Sequence, residues 1–477
     1  MKNYKRLLAL GLSVAMIAGL TACGGSDSGS TPASSSTADN STTTTESGGG
    51  SGESVLYNEG ETRTIKLGTW YDRYYDSTHS DIFDNPNATG SELDQMQLDV
   101  VKEIEEKYNV RIEWVNLTWE GIQESLNTSV LAGTPDCDLY EVDFQFGIAA
   151  ALNGFAVNLE DILPADSDIF TDEVVMYPMD IGIDNGVYIF NRSNAENVLI
   201  NTYMLAYNKK MLDDAGLEDP NALYERGEWT WDKWREYLLT LTQDTDGDGV
   251  TDVYGYGSRY DFLMYLMLMS NGTGIAMSET ENLSSPEVGE VLDFVYNMYN
   301  VDHVAYPWNA DDFDSNMLNY QDGKTAFWIT ASWISAPNGY DDASLGFDIV
   351  WCPFPVGPSG NQETNATKNV SSGSGYLIPQ GVENPELVYN VFYDLTNWYH
   401  GDTALRDSDL TWWEDSALTE ENYQVMVDTG ARGGFDMWNA LGVEFNWPQL
   451  LDGEVTASQF AEMHKQEVQD ALDGFFK

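Results

Sequence analysis

Between Arg63 and Pro135 the period of the apolar residues changes from strand to helix and back, and no other feature of the chain narrows its fold so far. RTIKLGTW, residues 63 to 70, reads as a short strand. From Ser91 to Tyr108 the residues Leu93, Met96, Val100, Ile104 and Tyr108 recur at three- and four-residue intervals, the period of an amphipathic helix. Val110, Ile112 and Trp114 then alternate as a second strand, and Ile122, Leu126 and Val130 mark a further helix that Gly133 and Pro135 stop. This alternation predicts a mostly parallel sheet covered by helices, whose ligands lie beyond the C-terminal strand ends. Trp70 and Tyr71, and later Asp143 and Phe144, fall at such ends. Further helices are predicted from Trp231 to Thr242 with Thr230 as cap, near 288 to 300, near 386 to 399, and from Ser458 to Phe475. The fold class is α/β throughout.

At 477 residues, 42% of them apolar, the chain exceeds what one core supports, so two lobes are the default. A formal charge of -56, with only 22 scattered Lys and Arg, argues against gripping nucleic acid or an anionic membrane surface through a basic patch. Residues 1–22 have a cationic start (Lys2, Lys5, Arg6) and an apolar run from Leu7 to Leu20, the layout of an export signal and too short for a membrane span. Leu20-Thr21-Ala22-Cys23 resembles a bacterial lipobox, which makes Cys23 the lipidated first residue of the mature chain. The protein is then expected on the extracellular face of the cytoplasmic membrane, held there by its N-terminal lipid. Residues 23–61 are rich in Gly, Ser and Thr without apolar periodicity and read as a disordered tether, of reach roughly 30 Å. Cys137 and Cys352 remain, too few for a disulfide framework, and their pairing stays open.

Signatures of catalysis are sparse. Gly323-Lys324-Thr325 echoes the end of a phosphate-binding loop, but Leu318 stands where its first glycine is needed, and a turn into the apolar strand Ala326 to Ile329 is the simpler reading. Neither a G-x-S-x-G elbow nor an H-E-x-x-H helix is present. The histidines His79, His303, His400 and His464 lie far apart in sequence. No catalytic residue is assigned, and the chain is not expected to be an enzyme.

DTDGDGVTDVYG, from Asp244 to Gly255, carries a different chemistry. Ca²⁺ takes six to eight oxygen ligands, and alternating aspartates in a tight loop turn their oxygens inward. Asp244, Asp246, Asp248 and Asp252 occupy the first, third, fifth and ninth places of a loop resembling the EF-hand, Gly249 supplies the bend and Val250 a carbonyl. Gly255 stands where that loop has its bidentate Glu, and the exit through Val253 to Tyr256 reads as extended. A structural Ca²⁺ is expected; the alternative is an Asx-rich turn without metal.

NTYMLAYNKKMLDDAGLEDP from Asn201, and EWTWDKWREYLLTLTQDTDGDGVTDVYG after it, look like the extracellular solute-binding proteins of bacterial ABC importers, a group that includes carbohydrate binders. The likeness continues through Tyr320 to Phe327 with Trp333 beyond, Pro353 to Pro358, Gly373 to Pro379 and the helix start at Asn384-Pro385-Glu386, covering about 62 to 477. It implies a periplasmic-binding-protein-like fold of two α/β lobes joined by a hinge and closing on a solute in the cleft between them. By that analogy 62–200 and 352–397 form lobe 1, and 201–351 and 398–477 lobe 2. Tyr71 to Asn87 and Asp407 to Asp415 have no counterpart in the family.

A sugar presents apolar C–H faces and a rim of hydroxyls, so its sites join flat aromatic rings to carboxylates, amides and Arg. The candidates at loop or strand-end positions are Trp70, Tyr71, Phe144, Tyr260, Tyr376, Trp438 and Trp447, with Trp333 and Tyr376 at positions matching the family's cleft. Asp72, Asp143 and Arg259 are their polar partners. Peptides and other polar solutes also use aromatics. The implied role is a monomeric, lipid-anchored capture protein that delivers a solute, a carbohydrate or oligosaccharide, to ABC permease subunits. A secreted polysaccharide-degrading enzyme and a surface adhesin or sensory partner are the rival classes.

Overall fold

The computed structural model describes residues 60–71, 75–170, 186–191, 202–308, 319–332, 345–363, 365, 368–369, 374–406, 408, 411–434, 436–438 and 441–475. Residues 1–59, which hold the expected export signal, Cys23 and all but the last two residues of the expected tether, lie outside them, as do Asp72 and Trp333. No helix among them is long and apolar enough to cross a membrane.

The first sheet forms as its periodicity predicts. β1 (Arg63–Thr69) pairs in parallel with β2 (Val110–Asn116) from Arg63↔Val110 to Thr69↔Asn116, and with β3 (Leu139–Asp143) at Leu67↔Leu139. β8 (Lys368–Asn369) pairs with Gly433–Gly434 apart from this sheet, and β9 (Ser374–Leu377) closes the order β2-β1-β3-β9 and runs antiparallel to β3. Gly68 lets the sheet's cover approach, since a Cβ there would lie 3.1 Å from both Cys137 Sγ and the Tyr140 ring.

The helix Glu92–Tyr108 starts at a capping box in which Ser91 and Asp94 satisfy each other's backbone N–H, and ends on Asn109 in the left-handed region at φ 52°. Its buried stripe is Leu98, Val101, Ile104 and Tyr108 with Val100, so the inward face is rotated slightly from the expected one; Leu93 and Met96 are only half-buried. It packs on the helix Pro385–Thr396, where Asp394 accepts from Lys107 Nζ at 2.8 Å and from the Tyr108 hydroxyl at 2.9 Å. The helix Trp119–Ser125 buries Ile122, and a wider turn, Leu126–Val130, carries Leu126 and Val130 onto the same face.

The second sheet departs from the expected parallel arrangement. Its order is β5 (Tyr254–Tyr256), β6 (Thr325–Ala331), β4 (Tyr203–Asn208), β7 (Ile349–Cys352), and β4 is antiparallel to both neighbours while only β5 and β6 run parallel. The reason is physical: all six residues of β4 are buried, and a strand covered on both faces shows a continuous apolar run whichever way its partners point. Tyr203, Leu205 and Tyr207 feed one core, Met204 and Ala206 another.

The helix Trp231–Leu241 is capped by Thr230, whose hydroxyl accepts from Lys233 N. It lies so close to β5 that a Cβ on Gly255 would be 2.5 Å from the Leu238 carbonyl oxygen. The helix Tyr260–Ser270 is buried from Phe262 to Ser270 and runs through the core, flanked by the helices Pro286–Asn300, Trp447–Leu451 and Ala457–Phe475. One apolar cluster joins Tyr140, Val142 and Phe144 of the first sheet's side to Tyr203, Leu205, Phe262 and Leu263 of the second's.

Cys352 is the last residue of β7, and the chain then stays on the second sheet's helices: Trp229 Nε1 donates to the Pro353 carbonyl, Gly357 N to Ser270 O, and Gln362 Nε2 to Tyr224 O. Cys137 and Cys352 are both free and buried, and burial pushes each thiol well up, that of Cys137 to about 12.

Candidate functional site

The parallel strands β2, β1 and β3 all end on one edge of the first sheet, and the chain leaves that edge through aromatic residues. After β1 come Trp70 and Tyr71, rings 5.7 Å apart and edge to face. Their setting is fixed from below by Glu141, a β3 carboxylate that is only 1% exposed. Thr69 Oγ1 donates to its Oε2 at 2.9 Å and the Tyr71 hydroxyl to its Oε1 at 3.2 Å. The end of β3 supplies Asp143, half-buried, and Phe144, buried at the start of the helix Phe144–Leu152. Gly375 on β9 makes room for that ring: a Cβ there would sit 3.1 Å from Phe144. Trp70, Tyr71, Asp143 and Phe144 therefore share one edge, as their strand-end positions imply.

Two residues at this edge were not legible. Trp119 follows β2 and meets Phe146, one turn into the Phe144–Leu152 helix, with ring centroids 4.7 Å apart. Glu141 was hidden because an acid in the middle of an apolar strand reads as an exception until its two hydroxyl partners are seen.

Arg259 and Tyr260 lie together where β5 leads into the helix Tyr260–Ser270. The guanidinium pairs with Asp261 through Nε at 3.1 Å and Nη2 at 2.7 Å, and rests 4.3 Å from the centre of the Phe262 ring. Tyr260 meets Trp308 edge to face at 5.6 Å. Tyr265, one turn on, is buried in the same helix. Burial, then the fields of Asp261, Tyr203, Asp143 and Asp436, push its hydroxyl well above the ordinary value. Its ring lies 5.0 Å from that of Trp438, and both the Tyr265 hydroxyl and Trp438 Nε1 are buried without a hydrogen-bond partner.

Other predicted aromatics belong to cores. Tyr376 is 3% exposed and packs at 4.4 Å on Phe392, so its ring fills a core beside the first sheet. Trp447, 4% exposed, packs on Phe445 at 5.0 Å and on Phe460 at 4.7 Å, two rings that also meet each other at 6.3 Å. Trp438 is buried with them, at 5.7 Å from Trp447. The loop bearing Trp438 is tied down by Asp436, whose buried carboxylate accepts from Ile275 N at 2.6 Å, Ala276 N at 2.8 Å and Trp438 N at 3.2 Å.

The acidic loop lies between the helix Trp231–Leu241 and β5, its ends joined by the Gln243↔Val253 bridge. Asp244 accepts from Gly247 N at 2.7 Å and Gly249 N at 2.8 Å, with both glycines at positive φ, 78° and 89°. Asp244, Asp246 and Asp252 each bring a carboxylate oxygen within 4.8 Å of the others. Asp248 turns an oxygen to Val250 N at 2.8 Å, and Asp252 accepts from Thr245 N and Oγ1, the hydroxyl bond chiefly holding its pKa below the usual value. A hard, oxygen-seeking cation fits this donor set.

The sequence matches the family described as bacterial extracellular solute-binding protein over residues 89–392. A similar protein is the diacetylchitobiose binding protein DasA of Streptomyces coelicolor, 22% identical over 302 residues; the alignment takes in 62% of this chain and 65% of that relative, under two thirds of its length. Among solved structures, the ABC substrate-binding protein Lmo0181 of Listeria monocytogenes, in complex with cycloalternan, superimposes with a TM-score of 0.58 at 14% identity, over 87% of this chain and 100% of that one. UgpB of Mycobacterium tuberculosis, in complex with glycerophosphocholine, gives 0.56 at 16% identity, over 80% and 95%. At these identities the structures establish a shared fold.

Proposed function

The chain belongs to the bacterial extracellular solute-binding proteins, and on that premise we propose that it captures a carbohydrate, in particular an oligosaccharide, between two lobes built around its two sheets and hands it to an ABC permease. The observation that carries the sugar reading is the edge where Trp70, Tyr71, Asp143 and Phe144 leave adjacent strands. Trp70 and Tyr71, both half-buried, offer flat rings for C–H faces beside the Asp143 carboxylate, which accepts from hydroxyls; Phe144 is buried, and Glu141 holds Tyr71 in place. Arg259 and Tyr260 are the second sheet's contribution to the same ligand. The family's members and the relatives named above are binding proteins, in keeping with a chain that binds without converting.

In this reading the ligand-free protein samples open and closed forms, and a solute touching both lobes stabilises the closed one through contacts made only there. Moving the balance from about 1:99 to about 99:1 requires a differential of roughly 5.5 kcal/mol. A few hydrogen bonds in a drying cleft and one or two covered rings supply that much. Transport energy comes from a separate ATPase. The tether from Cys23 keeps the body at the membrane, and a Ca²⁺ held by Asp244, Asp246, Asp248, Asp252 and the Val250 carbonyl braces the turn into β5.

A thermal-shift screen of the purified protein against mono-, di- and oligosaccharides, peptides and polyols tests the reading. A stabilising glycan, with affinity lost on Asp143→Ala, is the expected result. Stabilisation by peptides alone, with every glycan silent, would refute the carbohydrate assignment.

A further inference from the structure

Trp119 is exposed over 41% of its surface at the edge where Trp70 and Tyr71 are half-covered and Phe144 and Phe146 are buried. It is placed there by backbone strain. Thr118 holds φ 64° and ψ 164°, a region essentially reserved for glycine and unusual for a β-branched residue. The strain is held by Thr118 N donating to Asn116 Oδ1 at 3.1 Å and by Gly121 N donating to Thr118 Oγ1 at 3.3 Å. The turn sends Trp119 from the end of β2 to Phe146 on the helix that follows β3. Since β1 lies between β2 and β3, the Trp119–Phe146 contact joins the segments that follow the strands on either side of β1, and Trp70 and Tyr71 emerge from β1 at that same edge. A ring kept for the core would be turned inward, and a ring of no consequence would not need a strained threonine to aim it.

We propose that Trp119 is a ligand-contacting residue whose open face stacks on the C–H face of an outer pyranose, making this an oligosaccharide site in which Trp119 serves a unit beyond the one held by Trp70, Tyr71 and Asp143. The inference rests on the carbohydrate reading above. It assigns Trp119 the selectivity for length: the inner residues hold a single sugar, and the increment gained by longer chains comes through the indole. Phe146 backs the ring, so phenylalanine at 119 retains a stacking face where alanine leaves none.

The test is calorimetric titration of the wild-type protein and the variants Trp119→Ala, Trp119→Phe and Phe83→Ala. The probes are two series of one to four units, glucose to maltotetraose and N-acetylglucosamine to its tetramer. In the series that the wild type binds, Trp119→Ala is expected to lose about tenfold in affinity for the longer members and nothing for the monosaccharide. Trp119→Phe should recover most of that loss, while Phe83→Ala, which removes another exposed ring, should match the wild type. Wild-type affinity of Trp119→Ala for every length overturns this proposal and leaves the carbohydrate reading standing. An equal loss for all lengths overturns the outer position, and a wild type silent to both series overturns the assignment of Trp119 to a glucose- or N-acetylglucosamine-based oligosaccharide, while the broader carbohydrate reading is decided by the thermal-shift screen above.

Discussion

Replacing Asp436 with Asn should change how the protein's stability depends on pH. Burial pushes this carboxyl up to about 6, against three backbone N–H donors that pull it back, from an ordinary value of 3.8. The native state therefore binds a proton between about pH 4 and 6 that the unfolded chain has released. The contribution is fully present below the unfolded value and is lost as pH rises through 6. The gap between the two values is worth roughly 3 kcal/mol, of which about 2 kcal/mol falls between pH 4 and pH 7.5. Asparagine keeps one acceptor oxygen for Ile275 or Ala276 and does not titrate. Urea unfolding of both proteins, followed by circular dichroism at pH 4, 5, 6 and 7.5, isolates the group, because the other carboxylates cancel in the difference. The variant should gain on the wild type by about 2 kcal/mol across that range. Two stability curves that stay parallel would refute the account of Asp436 as a desolvated acid.

Other substitutions probe packing, the site and the metal loop. Gly360→Ala would set a Cβ 2.0 Å from the Ser270 carbonyl oxygen, so it should cost at least about 2 kcal/mol in thermal unfolding. Gly474→Ala, which meets nothing within 4 Å, should leave the melting temperature in place. Trp447→Ala removes a buried ring from the cluster with Phe445 and Phe460 and should destabilise by about 3–5 kcal/mol; an unchanged melting temperature with lost glycan affinity would instead make Trp447 a ligand contact. Tyr265→Phe removes a buried hydroxyl that has no partner, so stability measured by urea unfolding should hold or rise. Chelator-treated protein should gain melting temperature on adding Ca²⁺ and the Asp244→Asn variant should not; absence of any calcium effect on the wild type would return the loop to an Asx-rich turn.

The first sheet was legible because its period changes mark each element, and because the ends of parallel strands gather on one edge wherever the crossovers go. That logic placed Trp70, Tyr71, Asp143 and Phe144 together. It could not place Tyr376, whose position at a strand end says nothing about which face of the pleat its ring takes; opposite Glu141 in β9, it turns into the core. Trp447 reads as a ring at a loop position, and the long-range approach of the Ala457–Phe475 helix, which brings Phe460 against it, makes it part of a core. Strand direction in the second sheet was equally hidden, since burial on both faces erases the alternation that distinguishes one arrangement from another. Trp119 escaped notice for the opposite reason: its importance lies in exposure and in an unusual Thr118 backbone, neither of which a residue type reveals.

The double-sided burial of β4 has a consequence for how this chain can diverge. With Tyr203, Leu205 and Tyr207 committed to one interior and Met204 and Ala206 to another, a single-residue deletion here would exchange the two sets wholesale. No position from 203 to 207 can drift toward a larger, smaller or polar residue without an answering change on the layer it touches. Homologues should therefore vary in this stretch by coupled pairs, and tolerate almost no indels within it.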